Sequence, residues 1–341
     1  MKVTFLLRAD GGLFFGGAEV QALETAAALR RQGIEVEIMS PTTKEVGDVV
    51  HAFGHYPSYV STMSYCKARG IPFVLSTIFY REYPLALMKL RDRYRASKRH
   101  NPMWITRQLM RSATALLPNT QAEAQQVSEL FLKKPVPTFV VPNGAEARFA
   151  DGDPSLFRQQ HGIEGPFILN VARIEKRKNQ LRLIEAVQGS GMKLVIIGKE
   201  AQDDYSKACR AKAEGDPNIV FLPPIPHEDP MLASAYAAAK VFALPSLLET
   251  PGIAALEASL AGARIVITPV GGAKEYFGDA AWYVDSRSTE SIRQALKSAW
   301  EAPDDGGALK QRVLSNYTWD AVGAQTAEVY RQALALCGRQ S

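Results

Sequence analysis

Short apolar runs alternate with helix-like segments along almost the whole chain, and this alternation limits the possible folds more than any other feature. Such a pattern is typical of parallel sheets whose strands are joined by helices that cover both faces. The sequence therefore predicts an α/β protein with doubly wound sheets. The predicted strands are Val3–Leu7, Val36–Met39, Asp48–Phe53, Pro72–Ile78, Ala115–Pro118, Phe139–Val141, Phe167–Val171, Leu194–Ile197, Ile219–Leu222, Val241–Leu244, Ile265–Ile267 and Trp282–Val284.

The alternation stops once and then starts again, which indicates two domains. Residues 142–165 are rich in glycine, proline and aspartate, as expected for a connection between domains. A length of 341 residues also exceeds the usual size of a single core. We place the first domain at residues 1–160 and the second at residues 161–318. Ligands of open parallel sheets bind at the carboxyl ends of the strands, so we expect a site in a cleft between the two sheets.

The composition is that of a soluble globular protein, with 46% hydrophobic and 22% charged residues. No apolar run approaches the ~18–20 residues of a membrane-spanning helix, and the N-terminal apolar segment is too short for a signal peptide. The three cysteines lack a CxxC spacing, and the five histidines show no metal-ligand spacing. We therefore expect a cytoplasmic protein without disulfides, zinc or another metal ion.

The positive charge is concentrated in one segment. Residues 88–111 contain eight Lys or Arg and one Asp, a net charge of +7, whereas the whole chain carries +5, so the remainder carries 5 − 7 = −2. This distribution, without any nucleic-acid-binding motif, argues against nucleic acid as a partner. A basic helix with apolar residues and a Trp suits an anionic membrane surface, although a solvated basic helix has the same pattern. The side chains expected to face the acceptor or the membrane are Lys89, Arg91, Arg95, Arg99 and Trp104.

The stretch of residues 242–262, FALPSLLETPGIAALEASLAG, combines an apolar strand with a helix that has well-marked ends. We predict Thr250 as the N-cap, Pro251 as the first helical residue and Gly262 as the C-cap. The backbone N–H groups of Gly252 and Ile253 would then point outward at the positive end of the helix. We expect them to form an anion-binding site.

Two carboxylates, Glu249 and Glu257, flank this expected anion site. On one straight helix, eight residues would separate them by ~12 Å and turn them by ~80° about the axis. This distance is too long for a carboxylate pair that acts on one bond, where ~5–10 Å is usual. They are better suited to two hydroxyl-rich parts of one ligand, because an ionised carboxylate only accepts hydrogen bonds. Two solvated glutamates in an ordinary loop are the alternative.

Other strand-to-helix junctions carry residues that suit phosphate groups. Glycine pairs at positions 11–12 and 16–17 follow the first strand, where backbone N–H groups can approach a phosphate closely. Their spacing does not match GxGxxG, and the second strand does not end in a carboxylate, so NAD is not expected. A turn without a ligand remains the alternative. The segment TPVGGAKEYF at residues 268–277 is a similar junction, and a simple turn explains it equally well.

The segment NVARIEKRKNQ at residues 170–180 follows the first strand of the second half. Arg173 and Lys178 lie on its strand-to-helix loop, where cations and free N–H groups can bind a diphosphate. We interpret Lys176 and Arg177 as solvated neighbours. A basic loop that only faces solvent would look the same.

Together these segments resemble the retaining glycosyltransferases of family four. The spacing from Glu249 to Glu257 matches the E-x7-E motif of that family, which is its most specific mark. The matching segments are GGAE at 16–19, VPNGAEARF at 141–149, VARIEKRKN at 171–179, PSLLETPGIAALEA at 245–258, VGGAKEYF at 270–277 and WDAVGAQTAEVYRQAL at 319–334.

The resemblance implies the GT-B fold, two Rossmann-like doubly wound domains that face each other across a cleft, with the last helix in residues 319–341 packing back on the first domain. It implies a metal-independent transferase that moves a hexose-type sugar from a nucleotide diphosphate sugar to a glycan or lipid-linked acceptor. Such an enzyme would act in polysaccharide biosynthesis, in the cytoplasm or on the inner face of the membrane.

The resemblance also implies roles for individual residues. Arg173 and Lys178 would bind the donor diphosphate, Glu249 the hydroxyls of the donor sugar, and Glu257 the ribose hydroxyls. The backbone of the glycine pair at 16–17 would reach the diphosphate. The residues assigned to donor binding are Gly16, Gly17, Glu249, Thr250, Pro251, Gly252, Ile253 and Glu257.

The chain departs from the family pattern in ways that leave other functions open. A histidine that usually follows the fourth strand is replaced by Ile78 or Phe79, and Thr250-Pro251 replaces the usual Gly-Phe. One alternative is a nucleotide-sugar epimerase of the same fold, which would turn over its donor alone. Another is a relative that binds nucleotides without catalysis.

Overall fold

The structure is a computed structural model that describes residues 1–8, 16–80, 102–201, 203–303 and 307–338. The chain divides into two compact units, one formed by Met1–Gly144 with Trp319–Ser341 and the other by Ala145–Thr318. The strands are β1 (Lys2–Leu6), β2 (Glu35–Ile38), β3 (Val49–Phe53), β4 (Phe73–Ser76), β5 (Ala115–Leu117), β6 (Phe167–Val171), β7 (Lys193–Ile197), β8 (Ile219–Leu222), β9 (Val241–Leu244), β10 (Arg264–Ile267) and β11 (Ala281–Tyr283). The described helices are α1 (Gly17–Arg31), α2 (Tyr59–Ala68), α3 (Pro102–Ser112), α4 (Gln121–Phe131), α5 (Pro154–His161), α6 (Gln180–Val187), α7 (Asp204–Ala213), α8 (Pro230–Ala238), α9 (Ile253–Leu260), α10 (Ala273–Phe277), α11 (Thr289–Glu301), α12 (Ala308–Asn316) and α13 (Trp319–Leu336).

The first unit is built on a parallel sheet in the order β2-β1-β3-β4-β5. Its five strands lie where the apolar runs predicted them. The sixth predicted strand, Phe139–Val141, is wrong, since no strand is assigned there. Thr138 forms an isolated parallel bridge with Leu116, and the N–H groups of Phe139 and Val141 donate to the carbonyls of Leu116 and Pro118 without forming a continuous ladder. Three prolines, Pro135, Pro137 and Pro142, border this segment, and a proline has no N–H to donate to a strand ladder.

A buried histidine connects the last helix of the chain to the sheet of the first unit. His51 on β3 packs between Phe5 and Phe53. One ring nitrogen lies 2.6 Å from the hydroxyl of Tyr330 on α13, and the other lies 2.9 Å from Oγ of Ser76. Burial lowers the pKa of His51 from 6.5 to about 3, because the charged ring would lose its hydration.

His51 makes the stability of the first unit sensitive to acid. The unfolded chain binds a proton at this residue below about pH 6.5, whereas the folded chain binds it only below about pH 3. The contribution of His51 to the free energy of unfolding is complete above pH 6.5. It is lost as the pH falls toward 3, by up to about 1.4 kcal/mol per pH unit. We expect urea unfolding at pH 5 and pH 7 to show a smaller pH effect in His51→Gln than in the wild type. His161→Gln is the control, and equal pH effects in all three proteins would contradict the assignment.

The second unit is built on a parallel sheet in the order β11-β10-β9-β6-β7-β8. From β6 the chain passes to β7 and then to β8 on one side of β6. It then returns to place β9 on the other side of β6. The order of strands therefore reverses between β6 and β9. Ligands of open α/β sheets bind at such a reversal, outside the carboxyl ends of the strands. The loops that follow β6 and β9 are thus the places to look for a site.

The predicted domain boundary lies too late in the sequence. Residues 145–160 were assigned to the first domain, but they belong to the second unit. Phe149 and Phe157 are fully buried in the core of that unit, where Phe149 packs against Tyr236 and Phe157 against Phe167. The glycines and prolines of this segment therefore form turns within a domain, and they do not form a linker.

Within the described part of the chain, no helix is both long enough and apolar enough to span a bilayer.

Candidate active site

An ion pair lies at the reversal point of the second sheet. Nζ of Lys178, on the loop after β6, is 2.6 Å from Oε1 of Glu249, on the loop after β9. The two side chains are only 15% and 5% exposed. The guanidinium of Arg177 lies 3.7 Å from the same carboxylate oxygen. The sequence interpretation treats Arg177 as a solvated neighbour and therefore misses its position beside Glu249.

Backbone contacts hold the two loops together and so fix this ion pair. Asn179, which has a left-handed φ of 63°, precedes α6 and donates through its amide to the carbonyl oxygens of Pro245 and Ser286, at 2.9 and 2.8 Å. The backbone N–H of Leu247 donates to the carbonyl of Arg177 at 2.8 Å. The position of Lys178 beside Glu249 is thus set by the main chain as well as by their charges.

The glycine junction after β10 holds the backbone of Glu249. The N–H of Glu249 donates to the carbonyl of Val270 at 3.0 Å, and the N–H of Gly272 donates to the carbonyl of Glu249 at 2.9 Å. Gly271, between them, has a φ of +111°, and a Cβ added there would lie 1.9 Å from the Glu249 carbonyl oxygen. This junction is therefore more than a simple turn, since only glycine fits where the two backbones meet.

The helix that follows Glu249 begins later than predicted. α9 starts at Ile253, and its N-cap is Gly252, not Thr250, so Pro251 is not the first helical residue. The reason is that Gly252 has a left-handed φ of 85°, which a right-handed helix cannot include. The carboxylate of Glu249 lies against this helix start, since a Cβ at Gly252 would be 3.4 Å from its Oε2.

The carboxyl end of α9 lies one residue earlier than predicted, since Ala261 is the C-cap and Gly262 is the residue after it. This residue has a φ of +88° and follows the last helical turn. Its N–H bonds to Ser259, and the N–H of Ala263 bonds to Ala258, which is the Schellman arrangement.

Glu257 lies within α9 and binds a different set of side chains. Its Oε2 accepts a hydrogen bond from the hydroxyl of Tyr236 at 2.8 Å, and its Oε1 lies 2.8 Å from Nε2 of His227. Burial raises the pKa of Tyr236 well above its usual value, so its hydroxyl stays a donor. Neither Tyr236 nor His227 was singled out in the sequence as a partner of Glu257.

The two carboxylates of the E-x7-E spacing therefore occupy separate environments. Glu249 faces the cations of the β6 loop, whereas Glu257 faces His227 and Tyr236. The straight-helix estimate of their separation does not apply, because Glu249 lies in the loop before α9. Because Glu249 and Glu257 have different partners, they are suited to contact two different parts of one ligand.

Arg173, the other predicted diphosphate ligand, does not reach the Lys178–Glu249 pair. Its guanidinium forms an ion pair with Glu175 at 3.2 Å, and its side chain is 55% exposed. Its carbonyl accepts a hydrogen bond from Gln180 at 2.9 Å, which ties the loop to the start of α6. Arg173 thus lies on the same loop as Lys178 with its charged end toward solvent.

The predicted glycine site of the first unit is only partly described. Positions 11–12 lie outside the described residues, while Gly16 and Gly17 lie at the start of α1. The N–H of Gly16 donates to the carboxylate of Glu19 at 2.9 Å, and Arg8 pairs with the same carboxylate at 2.7 Å. A Cβ added at Gly17 would meet no described atom within 4 Å, so its own surroundings do not require a glycine.

Most of the predicted acceptor or membrane side chains cannot be located. Lys89, Arg91, Arg95 and Arg99 lie outside the described residues. Trp104, on α3, is 42% exposed.

Solved structures establish the class of fold. HepE of Anabaena, solved with UDP and glucose, superposes with a TM-score of 0.74 at 17% identity, over 97% of this chain and 100% of that chain. A glycosyltransferase from Rickettsia africae gives a TM-score of 0.75 at 15% identity, over 98% of each chain. At these identities the likeness shows the fold alone. The predicted class, doubly wound domains of the GT-B fold, is confirmed.

The sequence of the second unit is similar to that of a known enzyme family. Residues 154–316 match the family model described as Glycosyl transferases group 1. A D-inositol 3-phosphate glycosyltransferase from Acidothermus cellulolyticus is 29% identical over 247 residues, which cover 66% of this chain and 54% of that protein. The chain thus spans about half the length of such curated relatives. Over residues 154–316 the chain is therefore similar to group 1 glycosyltransferases.

Proposed function

We propose that this chain is a retaining glycosyltransferase that moves a hexose-type sugar from a nucleotide diphosphate sugar to a hydroxyl of a glycan or lipid-linked acceptor. The observation that supports this most is the Lys178–Glu249 ion pair at 2.6 Å, at the strand reversal of a group 1 glycosyltransferase domain. The site joins cations to a carboxylate, which suits a ligand with a phosphate end and a hydroxyl-rich end.

The cations of the β6 loop would stabilise the leaving group. When the bond between the anomeric carbon and the diphosphate breaks, its electron pair leaves with the nucleotide and adds negative charge to the phosphate. Lys178, Arg177 and Arg173 can meet that charge, aided by the N–H groups at the start of α9. Because these groups are cationic or dipolar, we propose that the transfer needs no metal ion.

We further propose that the transfer retains the anomeric configuration. Glu249 is paired with Lys178 and would accept hydrogen bonds from sugar hydroxyls, and Glu257 is bound to Tyr236 and His227. The acceptor oxygen would attack the face that the diphosphate leaves, and its proton would pass to a diphosphate oxygen. This route uses no nucleophile from the protein.

A donor screen followed by a transfer assay tests the proposal. We expect one of the UDP-, GDP-, ADP- or dTDP-sugars to raise the apparent thermal midpoint, because ligand binding stabilises the native state. That donor should then release its nucleoside diphosphate only with an acceptor, and the product should keep the anomeric configuration. Turnover of the donor alone would favour the epimerase, and binding without turnover would favour the non-catalytic relative. Binding of none of these donors would overturn the proposal.

We also propose that the first unit docks on an anionic membrane surface through α3, where the acceptor would be presented. In support, α3 carries the exposed Trp104, and Arg107 follows it three residues later on the same helix. A Trp beside basic residues suits the interface of an anionic bilayer. Liposome flotation should recover the protein with anionic vesicles and less of it after Trp104→Ala. Equal recovery with neutral and anionic vesicles would contradict this docking.

A further inference from the structure

The carboxylate of Glu257 is held from two sides by the protein. Tyr236 donates to Oε2 and His227 approaches Oε1, each at 2.8 Å. The Glu257 side chain is buried, so these contacts determine how its two oxygens are oriented. Each carboxylate oxygen has two lone pairs, and the protein occupies one on each. As far as the described residues are concerned, one acceptor position therefore remains on each oxygen.

His227 is itself held by a second carboxylate. Its Nδ1 lies 3.1 Å from Oε1 of Glu146, while its Nε2 faces Glu257. A carboxylate accepts hydrogen bonds, so a ring placed between two of them is favoured in the form that donates from both nitrogens. The hydrogen bond to Glu257 raises the pKa of His227 above its usual value, which agrees with that geometry.

Arg148 completes the support of this histidine. Its guanidinium pairs with Oε2 of Glu146 at 2.8 Å and also donates to the backbone carbonyl of His227. The ring is therefore fixed at both nitrogens and at its main chain. A positive His227 also reduces the repulsion that the two carboxylates would exert on each other and on a bound diphosphate.

We propose that His227 is a positioning residue that orients Glu257 to bind the vicinal hydroxyl groups of a nucleotide ribose. This inference rests on the proposed function, because it assigns the nucleotide end of the donor to Glu257. The two remaining acceptor positions of the carboxylate match two adjacent hydroxyl donors. Without His227 the carboxylate of Glu257 loses the contact that fixes its orientation, and the site then loses its preference for a ligand with two adjacent hydroxyl groups.

The test compares a nucleotide with its 2′,3′-dideoxy analogue by titration calorimetry on the full chain. UDP, GDP and ADP are titrated first, and the one that binds most tightly is paired with its dideoxy form. The wild type should prefer the ribonucleotide by about 10- to 100-fold, since each hydrogen bond to a charged group contributes strongly to affinity. In His227→Ala the preference should fall to about threefold or less, mainly by weaker binding of the ribonucleotide.

Two other variants make the outcome decisive. His161→Ala removes a histidine that packs on Phe157 in the same unit, and its preference for the ribonucleotide should equal that of the wild type. Tyr236→Phe removes only the hydroxyl that bonds the other oxygen of Glu257, and it should lower the preference even if His227→Ala fails to fold. An unchanged preference in both His227→Ala and Tyr236→Phe would overturn this inference and leave the proposed function intact. If the wild type binds no nucleotide, both are overturned.

Discussion

Replacing Lys178 by Ala will slow sugar transfer by about 10²- to 10³-fold, the usual loss when one charge-stabilising donor is removed. Lys178 contacts Glu249 at 2.6 Å, so its loss removes a cation from the leaving group and releases the carboxylate that would hold the sugar. The measurement is kcat/KM with the donor found by the screen. Lys176→Ala, an exposed lysine of the same loop, is the matched control and should retain nearly the wild-type rate. A wild-type rate in Lys178→Ala would remove this residue from the proposed mechanism.

The same replacement will also affect folding stability. Glu249 is buried, and without Lys178 its remaining cation is Arg177 at 3.7 Å. We expect the free energy of unfolding to fall by about 1–3 kcal/mol, less than for a fully buried pair that loses one partner. Adding Glu249→Gln should restore part of this loss, because it removes the unpaired charge. Additive losses in the double variant would show that the two side chains do not interact.

Replacing Gly271 by Ala will destabilise the second unit by about 2–4 kcal/mol and lower the transfer rate at least tenfold. The new Cβ would lie 1.9 Å from the carbonyl oxygen of Glu249, so the backbone that carries this carboxylate must move. Urea unfolding and kcat/KM would measure the two effects.

The control for Gly271→Ala is another glycine with a positive φ in the same unit. Gly189 has a φ of +75°, and a Cβ there would meet no described atom within 4 Å. Gly189→Ala should therefore lose only about 1 kcal/mol, the cost of the left-handed conformation, and keep its transfer rate. If the two variants lose the same stability, the close approach at Gly271 has no special role.

The sequence predicts the sheets well because their signal is local. The run Phe167–Val171 is apolar except for Asn170, whose amide donates to the carbonyl of Ala243 at 2.7 Å, and a strand covered on both faces requires such a composition. β6, β8 and β9 have the same bounds as the runs that predicted them. The failure at Phe139–Val141 has a different cause, since this segment makes only two backbone hydrogen bonds beside an isolated bridge, and its flanking prolines have no N–H to extend them into a ladder.

The start of α9 was harder to predict because two local rules competed. Thr250 and Pro251 are both favourable residues for a helix start, yet the conformation of Gly252 delays the helix to Ile253. Side-chain statistics alone do not show which residue takes the left-handed conformation.

The candidate site also has one part that the sequence predicts and one part that it does not. Its loop residues follow from the rule that sites lie at the carboxyl ends of strands, and Glu249 and Lys178 were found by that rule. The partners of Glu257 are separated from it along the chain, His227 by 30 residues and Tyr236 by 21. Only the fold brings them together, and no spacing motif identifies them.

The most direct test of the central claim is whether Glu249 recognises the sugar end of the donor. Titration calorimetry would compare the wild type and Glu249→Gln, each with the nucleotide sugar and with its parent nucleoside diphosphate. The account predicts that Glu249→Gln binds the nucleotide sugar at least tenfold more weakly. The nucleoside diphosphate should bind as well as before or more tightly, because Lys178 is released from its partner. An equal loss for both ligands, or no loss for either, would contradict it.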